Sequence, residues 1–65
     1  MSSHILGPIL ETLDEHTRMA RLRTPGGVLN SEDMAGIFRR VGKIHGCTPD
    51  DVQRWHEQRD RLMVA

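Results

Sequence analysis

A short stretch near the middle of the chain, Gly46 to Asp51, contains both the end of one helix and the start of the next. Glycine is favoured just past the last residue of a helix, so Gly46 predicts an ending there. Thr48 suits a helix N-cap, Pro49 fits the first helical position, and Asp51 follows three residues after the cap as a variant of the capping box. The sequence therefore predicts two helices joined by a very tight turn.

The rest of the chain has room for one more helix before this pair. We predict helices near 8–22, 31–45 and 49–63, preceded by an N-terminal arm over 1–6. Pro8 fits only the opening turn of the first helix, and Asn30 or Ser31 caps the second. Apolar residues recur at helical spacing in all three. They are Ile9, Leu10, Leu13 and Ala20, with Met19 and Leu22 beside them; Met34, Ile37, Phe38, Val41 and Ile44; and Val52, Trp55, Leu62 and Met63.

No segment shows the alternating pattern of a strand, so the sequence predicts an all-α protein. The chain of 65 residues is expected to form a single domain, a small three-helix bundle with a helix-turn-helix-like corner between helices 2 and 3. We expect Val28 and Leu29 to tuck under the helices. We also expect Trp55 to be largely buried against a set of apolar neighbours, namely Leu13, Phe38, Val41 and Val52.

A chain this short buries only about 60% of its unfolded surface, and Cys47 is its single cysteine, so no internal disulfide can stabilise it. We therefore expect a homodimer, whose interface is drawn from whichever residues of this apolar set the bundle leaves uncovered: Ile5, Leu6, Ile9, Leu10 and Leu13. A lone cysteine is typical of a reducing compartment, and no signal peptide or membrane-spanning run is present. The sequence thus favours a soluble, cytoplasmic protein that does not enter the membrane.

The charged residues cancel overall but are unevenly distributed. Nine Lys and Arg balance nine Asp and Glu, yet residues 18–43 carry six bases against two acids. Three of these bases, Arg39, Arg40 and Lys43, lie on the outer side of the second helix. They could hold phosphate or an acidic protein, or they could simply form the solvated face of an amphipathic helix.

Residues 38–57 carry a pattern that resembles the helix-turn-helix unit of small phage and bacterial DNA-binding proteins. The matching positions are the apolar-small pair Val41 and Gly42, the turn glycine Gly46, the apolar site Cys47, and the packing positions Val52 and Trp55. His45 departs from the pattern, because the family usually has an aliphatic residue there.

The resemblance implies that four positions at the start of the third helix would read base edges in the major groove: Thr48, Asp50, Gln53 and Arg54. Gln can pair with adenine and Arg with guanine. Asp50 and Asp51 argue against this function, since two carboxylates at the leading tip would repel phosphates.

Metal and catalytic chemistry find little support in the sequence. Cys47 with His45 and His56, joined by His16 or His4, could in principle ligate zinc, but the spacing fits no standard zinc site. Cys47 is better explained as a small apolar residue in the turn. No phosphate-binding glycine loop and no nucleophile with an oriented base is evident. We therefore expect no cofactor and no enzymatic activity.

Two functions remain open on the sequence alone. The first is a compact helical adaptor or inhibitor that regulates another protein by binding it, of the kind often encoded by phages and mobile elements. The second is a helix-turn-helix DNA-binding transcriptional regulator. Neutral net charge and acids at the presumed DNA-reading tip favour the first.

Overall fold

The computed structural model describes residues 6–59, and this part of the chain is all-α. Helix α1 spans Leu6–Arg23, α2 spans Ser31–His45 and α3 spans Pro49–Glu57, with a short 3-10 turn at Pro25–Gly27 between α1 and α2. Each of the three helices contacts the other two, and residues 6–59 contain no strand. The predicted three-helix bundle is confirmed.

Two predicted helices differ from the structure. Helix α1 begins at Leu6, so this residue belongs to the helix and not to the arm. Helix α3 is interrupted after Glu57, because the backbone of Gln58 leaves helical geometry with ψ near 8°. Arg59 is helical again, and the predicted continuation over 60–63 lies outside the described residues. The rest of the predicted arm and the predicted positions Leu62 and Met63 lie outside the described residues.

The tight turn forms as the sequence predicts. Gly46 takes the left-handed conformation at the end of α2, with φ of 73°. The Thr48 hydroxyl oxygen accepts a hydrogen bond from the Asp51 N–H at 3.1 Å and so caps α3. Asp51 does not return a bond to Thr48, because its carboxylate lies near Arg54 instead. The full capping box lies at the start of α2, where Asn30 and Asp33 exchange bonds.

Close packing at this turn depends on Gly42. A Cβ added to Gly42 would lie 2.5 Å from the Cys47 carbonyl oxygen, which real Cβ atoms essentially never do. In addition, the backbone carbonyl of Gly42 accepts a hydrogen bond from the Cys47 N–H at 2.8 Å. The absence of a side chain at Gly42 therefore lets the turn lie directly against α2.

The core is formed by the predicted apolar faces, but its centre is not where we expected. The fully buried side chains are Ile9, Leu13, Val41 and Val52, joined by Leu10, Ile37 and Phe38. Trp55 packs against this cluster and is only partly buried. Val52 fills the centre of α3, which leaves Trp55, almost one turn later, at the margin.

Several apolar residues on or beside the predicted apolar faces are exposed. Met19 and Leu22 are 42% and 74% exposed, and Ile44 is 57% exposed. Met19 and Leu22 lie in the second half of α1, beyond its buried residues Ile9, Leu10 and Leu13. Of the pair expected to tuck under the helices, Leu29 packs against the core while Val28 is 78% exposed.

Candidate functional site

The start of α3, where the sequence places base-reading residues, is occupied by contacts within α3 itself. Thr48 is engaged as the cap. Arg54 Nη2 lies 3.5 Å from Asp51 Oδ1, and Gln53 Nε2 donates to Glu57 Oε2 at 3.1 Å. Both side chains suited to reading bases therefore already contact carboxylates of their own helix. Asp50, also exposed, adds another acid at the same tip.

The predicted basic cluster on α2 is present and open to solvent. Arg39, Arg40 and Lys43 are all exposed and, with Gly36, line one shallow hollow of about 280 Å³. None of the three forms an ion pair within residues 6–59. By contrast, Arg54 contacts Asp51, and Arg59 contacts Asp14 at 2.8 Å. The charge of the α2 cluster is thus left uncompensated by direct contacts.

A groove runs between α1 and α2 beside this cluster. We call it the α1/α2 groove, a space of about 250 Å³ lined by Glu15, His16, Met19, Ala20, Arg23, Ile37 and Arg40. A second hollow of about 260 Å³ shares Ala20, Ile37 and Arg40 with it and extends towards Glu32, Asp33 and Gly36. Arg40 also lines the hollow of the basic cluster, so the three spaces form one continuous surface.

The sequence did not reveal this groove. The i, i+4 spacing of Glu15, Met19 and Arg23 shows that they share one side of α1. From its spacing, Met19 was interpreted as a residue beside the buried stripe, whereas the structure leaves it exposed on the groove.

A hollow of about 460 Å³ lies on the opposite side of α2, between α2 and α3. Its apolar lining includes Met34, Ala35 and Phe38, whose ring centroid is 5.7 Å from that of His56. Glu57, the last residue of α3, also lines it. Residues 60–65, which follow in the chain, lie outside the described residues, so we assign no partner to this hollow.

Two of the histidines considered as metal ligands take part in hydrogen bonds within the bundle. The Thr12 hydroxyl donates its hydrogen to the Pro8 carbonyl. The hydroxyl oxygen of Thr12 therefore accepts a hydrogen bond from His45 Nε2–H at 2.9 Å, which links α2 to α1. His16 Nδ1–H donates to the Thr12 carbonyl at 2.9 Å. Within residues 6–59 no group of three or more His, Cys, Asp and Glu side chains is arranged to hold a metal ion. His4 lies outside this range.

The Cys47 thiol is half-buried in the turn. Burial raises the pKa of this thiol, and the nearby negative charge of Asp51 raises it further. A reactive cysteine needs the opposite shift, because the thiolate is the nucleophile.

The predicted dimer interface is largely unavailable. Ile9, Leu10 and Leu13 are the core residues of α1 and are at most 4% exposed, so they cannot contact a second copy without unfolding the bundle. Leu6 is half-buried, and Ile5 lies outside the described residues. No helix within residues 6–59 is long and apolar enough to cross a membrane.

Comparison with protein-family models, curated proteins and solved structures finds no match to this chain. The resemblance of residues 38–57 to a helix-turn-helix unit therefore stays a prediction from the sequence.

Proposed function

We propose that this chain is a small, non-enzymatic adaptor or inhibitor that acts by binding another protein. The observation that carries the proposal is a side of α1 and α2 that no other part of residues 6–59 covers, where Met19 is exposed beside the groove floor formed by Ala20 and Ile37. Ile44 is also exposed and follows Arg40 by one helical turn on α2. Apolar side chains surrounded by a polar and charged rim are typical of protein-binding sites.

The electrostatics of α3 support a protein partner over DNA. A recognition helix presents its first turns to the phosphates and base edges of the major groove. Here that end carries Asp50 and Asp51, and Arg54 is already engaged by Asp51. Binding DNA would require this contact to break and two carboxylates to approach phosphates.

A non-enzymatic role is supported by the character of Cys47. Its thiol is the strongest nucleophile in the sequence, yet its raised pKa keeps it protonated near neutral pH. The spaces along the helices are shallow surface grooves, whereas catalytic pockets usually enclose most of a substrate.

The alternative function, a DNA-binding transcriptional regulator, draws on one observation. Arg39, Arg40 and Lys43 are exposed and unpaired within the described residues, as contacts to a phosphate backbone require. Under this alternative, Gln53→Ala and Arg54→Ala would relax base specificity by about 1–3 kcal/mol per contact. Arg39→Ala and Arg40→Ala would instead weaken binding to all sequences alike.

A titration with random-sequence duplex DNA distinguishes the two functions. At about 50 mM salt, where electrostatic binding is strong, the proposal predicts no binding by the full chain above background. The double variant Asp50→Asn, Asp51→Asn is the matched control, because it removes the repulsion and shows whether weak binding can be detected. Tight, salt-sensitive binding by the unmodified chain would overturn the proposal in favour of the DNA-binding alternative.

A further inference from the structure

The α1/α2 groove lies on the side of the bundle away from α3. On α1, Asp14 points towards the end of α3, since it contacts Arg59, whereas Thr12 points towards α2, since it contacts His45. The groove residues Glu15, Met19 and Arg23 are at one-turn spacing from each other and on the α2 side of α1. Within residues 6–59, α3 therefore packs on one side of the α1 and α2 pair, and no helix packs on the other.

Resting on the proposed function, we infer that the α1/α2 groove binds an acidic amphipathic helix of the partner protein, in the place a fourth helix of the bundle would take. A groove between two packed helices accepts a third helix by burying its apolar stripe. Ala20 and Ile37 form a floor that suits such a stripe, and Met19 provides an apolar rim.

Gly36 is an independent sign that something approaches α2 on this side. It lies in the interior of α2, where glycine costs about 1 kcal/mol relative to alanine. A Cβ added there would meet no atom within 4 Å, so nothing in the described fold requires the glycine. Gly36 lines the two hollows that continue from the groove. A small residue at this position lets a partner backbone come close.

The charge of the surface selects an acidic occupant. Arg40 lies where the three spaces meet, Arg39 and Lys43 are next to it, and Arg23 lines the groove on α1. The acids on the same surface are Glu15, and Glu32 with Asp33 near the start of α2, where Asp33 is held in the capping box. The basic part of the surface is thus centred on Arg40, Arg39 and Lys43, and carboxylates of the partner would lie there.

The same charge argues against two other occupants. A second copy of this chain would bring its own Arg40, Arg39 and Lys43 to the interface, which places like charges together. A nucleic acid would match the basic side chains, but its phosphate backbone would then lie against the apolar floor of the groove. An amphipathic helix satisfies both parts of the surface.

The test is a selection of displayed helical peptides, randomised at every position, against the full chain. The enriched peptides are expected to be acidic and amphipathic. Arg40→Glu should weaken their binding by about tenfold or more, since it replaces an attractive charge contact by a repulsive one. Arg18→Glu is the matched control, because Arg18 is exposed on α1 outside the groove and its reversal changes the net charge equally.

Two further variants sharpen the result. Arg40→Glu should regain affinity for a selected peptide whose matching Glu is changed to Lys. Gly36→Ala should weaken peptide binding although it leaves the chain folded, which circular dichroism verifies. A purely structural role for Gly36 would not separate binding from folding in this way.

The outcomes separate the two proposals. Peptides that are basic, or that bind the Arg40→Glu and Arg18→Glu variants equally well, would overturn the groove and its acidic occupant while leaving a protein-binding function in place. Enrichment of no peptide, together with salt-sensitive duplex binding, would overturn both. If no peptide is enriched and the chain does not bind duplex DNA either, the inference about the α1/α2 groove is overturned and the proposed function is not.

Discussion

At the scale of single residues, Thr48 links the turn to α3. Its side chain accepts the Asp51 N–H and it is otherwise exposed, so its contribution is almost purely that of a cap. Thr48→Ala is expected to lower the free energy of unfolding by about 1 kcal/mol. Urea denaturation measures the loss, and Thr48→Ser should restore most of it because serine also caps. Superimposable curves for Thr48→Ala and the unmodified chain would contradict the role of Thr48.

Cys47 shows how the same turn controls a reactive group. Its pKa is raised by burial and then by Asp51, so alkylation by iodoacetamide at neutral pH should be slower than for an unfolded peptide containing this cysteine. The rate should rise with pH through the raised pKa. The pKa of Cys47 is higher in the folded chain than in the unfolded chain. Its contribution to the free energy of unfolding is therefore complete below the unfolded pKa and is lost as the pH rises through the folded pKa.

Asp51→Asn tests the second cause of this shift. Removing the carboxylate should lower the pKa of the Cys47 thiol and speed its alkylation, while the Thr48 cap is retained because it uses the Asp51 backbone. Glu11→Gln, a charge change at an exposed site on α1, is the control. Equal alkylation rates in Asp51→Asn and the unmodified chain would show that burial alone protects the thiol.

At the scale of elements, α1 is divided into a packed half and an open half. Its buried residues are Ile9, Leu10 and Leu13, all in the first half, while Leu22 is 74% exposed. Leu13→Ala should therefore cost about 2–5 kcal/mol of stability, whereas Leu22→Ala should change it by no more than about 0.5 kcal/mol. Thermal or urea melts compare the two leucines on one helix. Similar losses for both would show that the second half of α1 is also packed.

The two glycines inside α2 should respond to alanine in opposite directions. Gly42→Ala is expected to destabilise the bundle strongly, since its Cβ would collide with the Cys47 carbonyl oxygen. Gly36→Ala has open space and should raise the free energy of unfolding by about 0.5–1 kcal/mol through helix propensity. Equilibrium unfolding of both variants provides the comparison. A destabilised Gly36→Ala chain would show that Gly36 has a packing role within the fold.

The elements also show which features a sequence of this kind can reveal. Caps and stops are local, so Asn30, Gly46 and Thr48 could be identified from their neighbours. The end of α3 depends on the conformation of Gln58, which no neighbouring proline or glycine announces. Met19 and Leu22 were placed beside the apolar stripe of α1 by their spacing, and the α1/α2 groove went unpredicted. Which face of a helix stays exposed depends on where its neighbours pack, which is not a local property.

At the scale of the whole molecule, neutral net charge conceals a divided surface. Acids lie at the start of α3 and on the first half of α1, whereas the bases left unpaired within residues 6–59 lie on α2 and the second half of α1, beside Glu15, Glu32 and Asp33. The groove combines an apolar floor with exposed bases, whereas the tip of α3 carries Asp50 and Asp51. The interaction surface is therefore expected on α1 and α2, away from the corner that the sequence emphasised.

The same division bears on self-association, which the sequence favoured through residues that the bundle buries. The exposed large apolar side chains of the described residues are Met19, Leu22, Val28 and Ile44. Two copies meeting there would oppose their own Arg40 clusters, so we expect a monomer of 7.4 kDa by light scattering at tens of micromolar and low salt. About 1 M salt shortens the Debye length to about 3 Å and tests whether repulsion alone prevents pairing. A dimer at low salt that Met19→Asp dissociates would show that a second copy covers the groove, and would replace the acidic helix as its occupant.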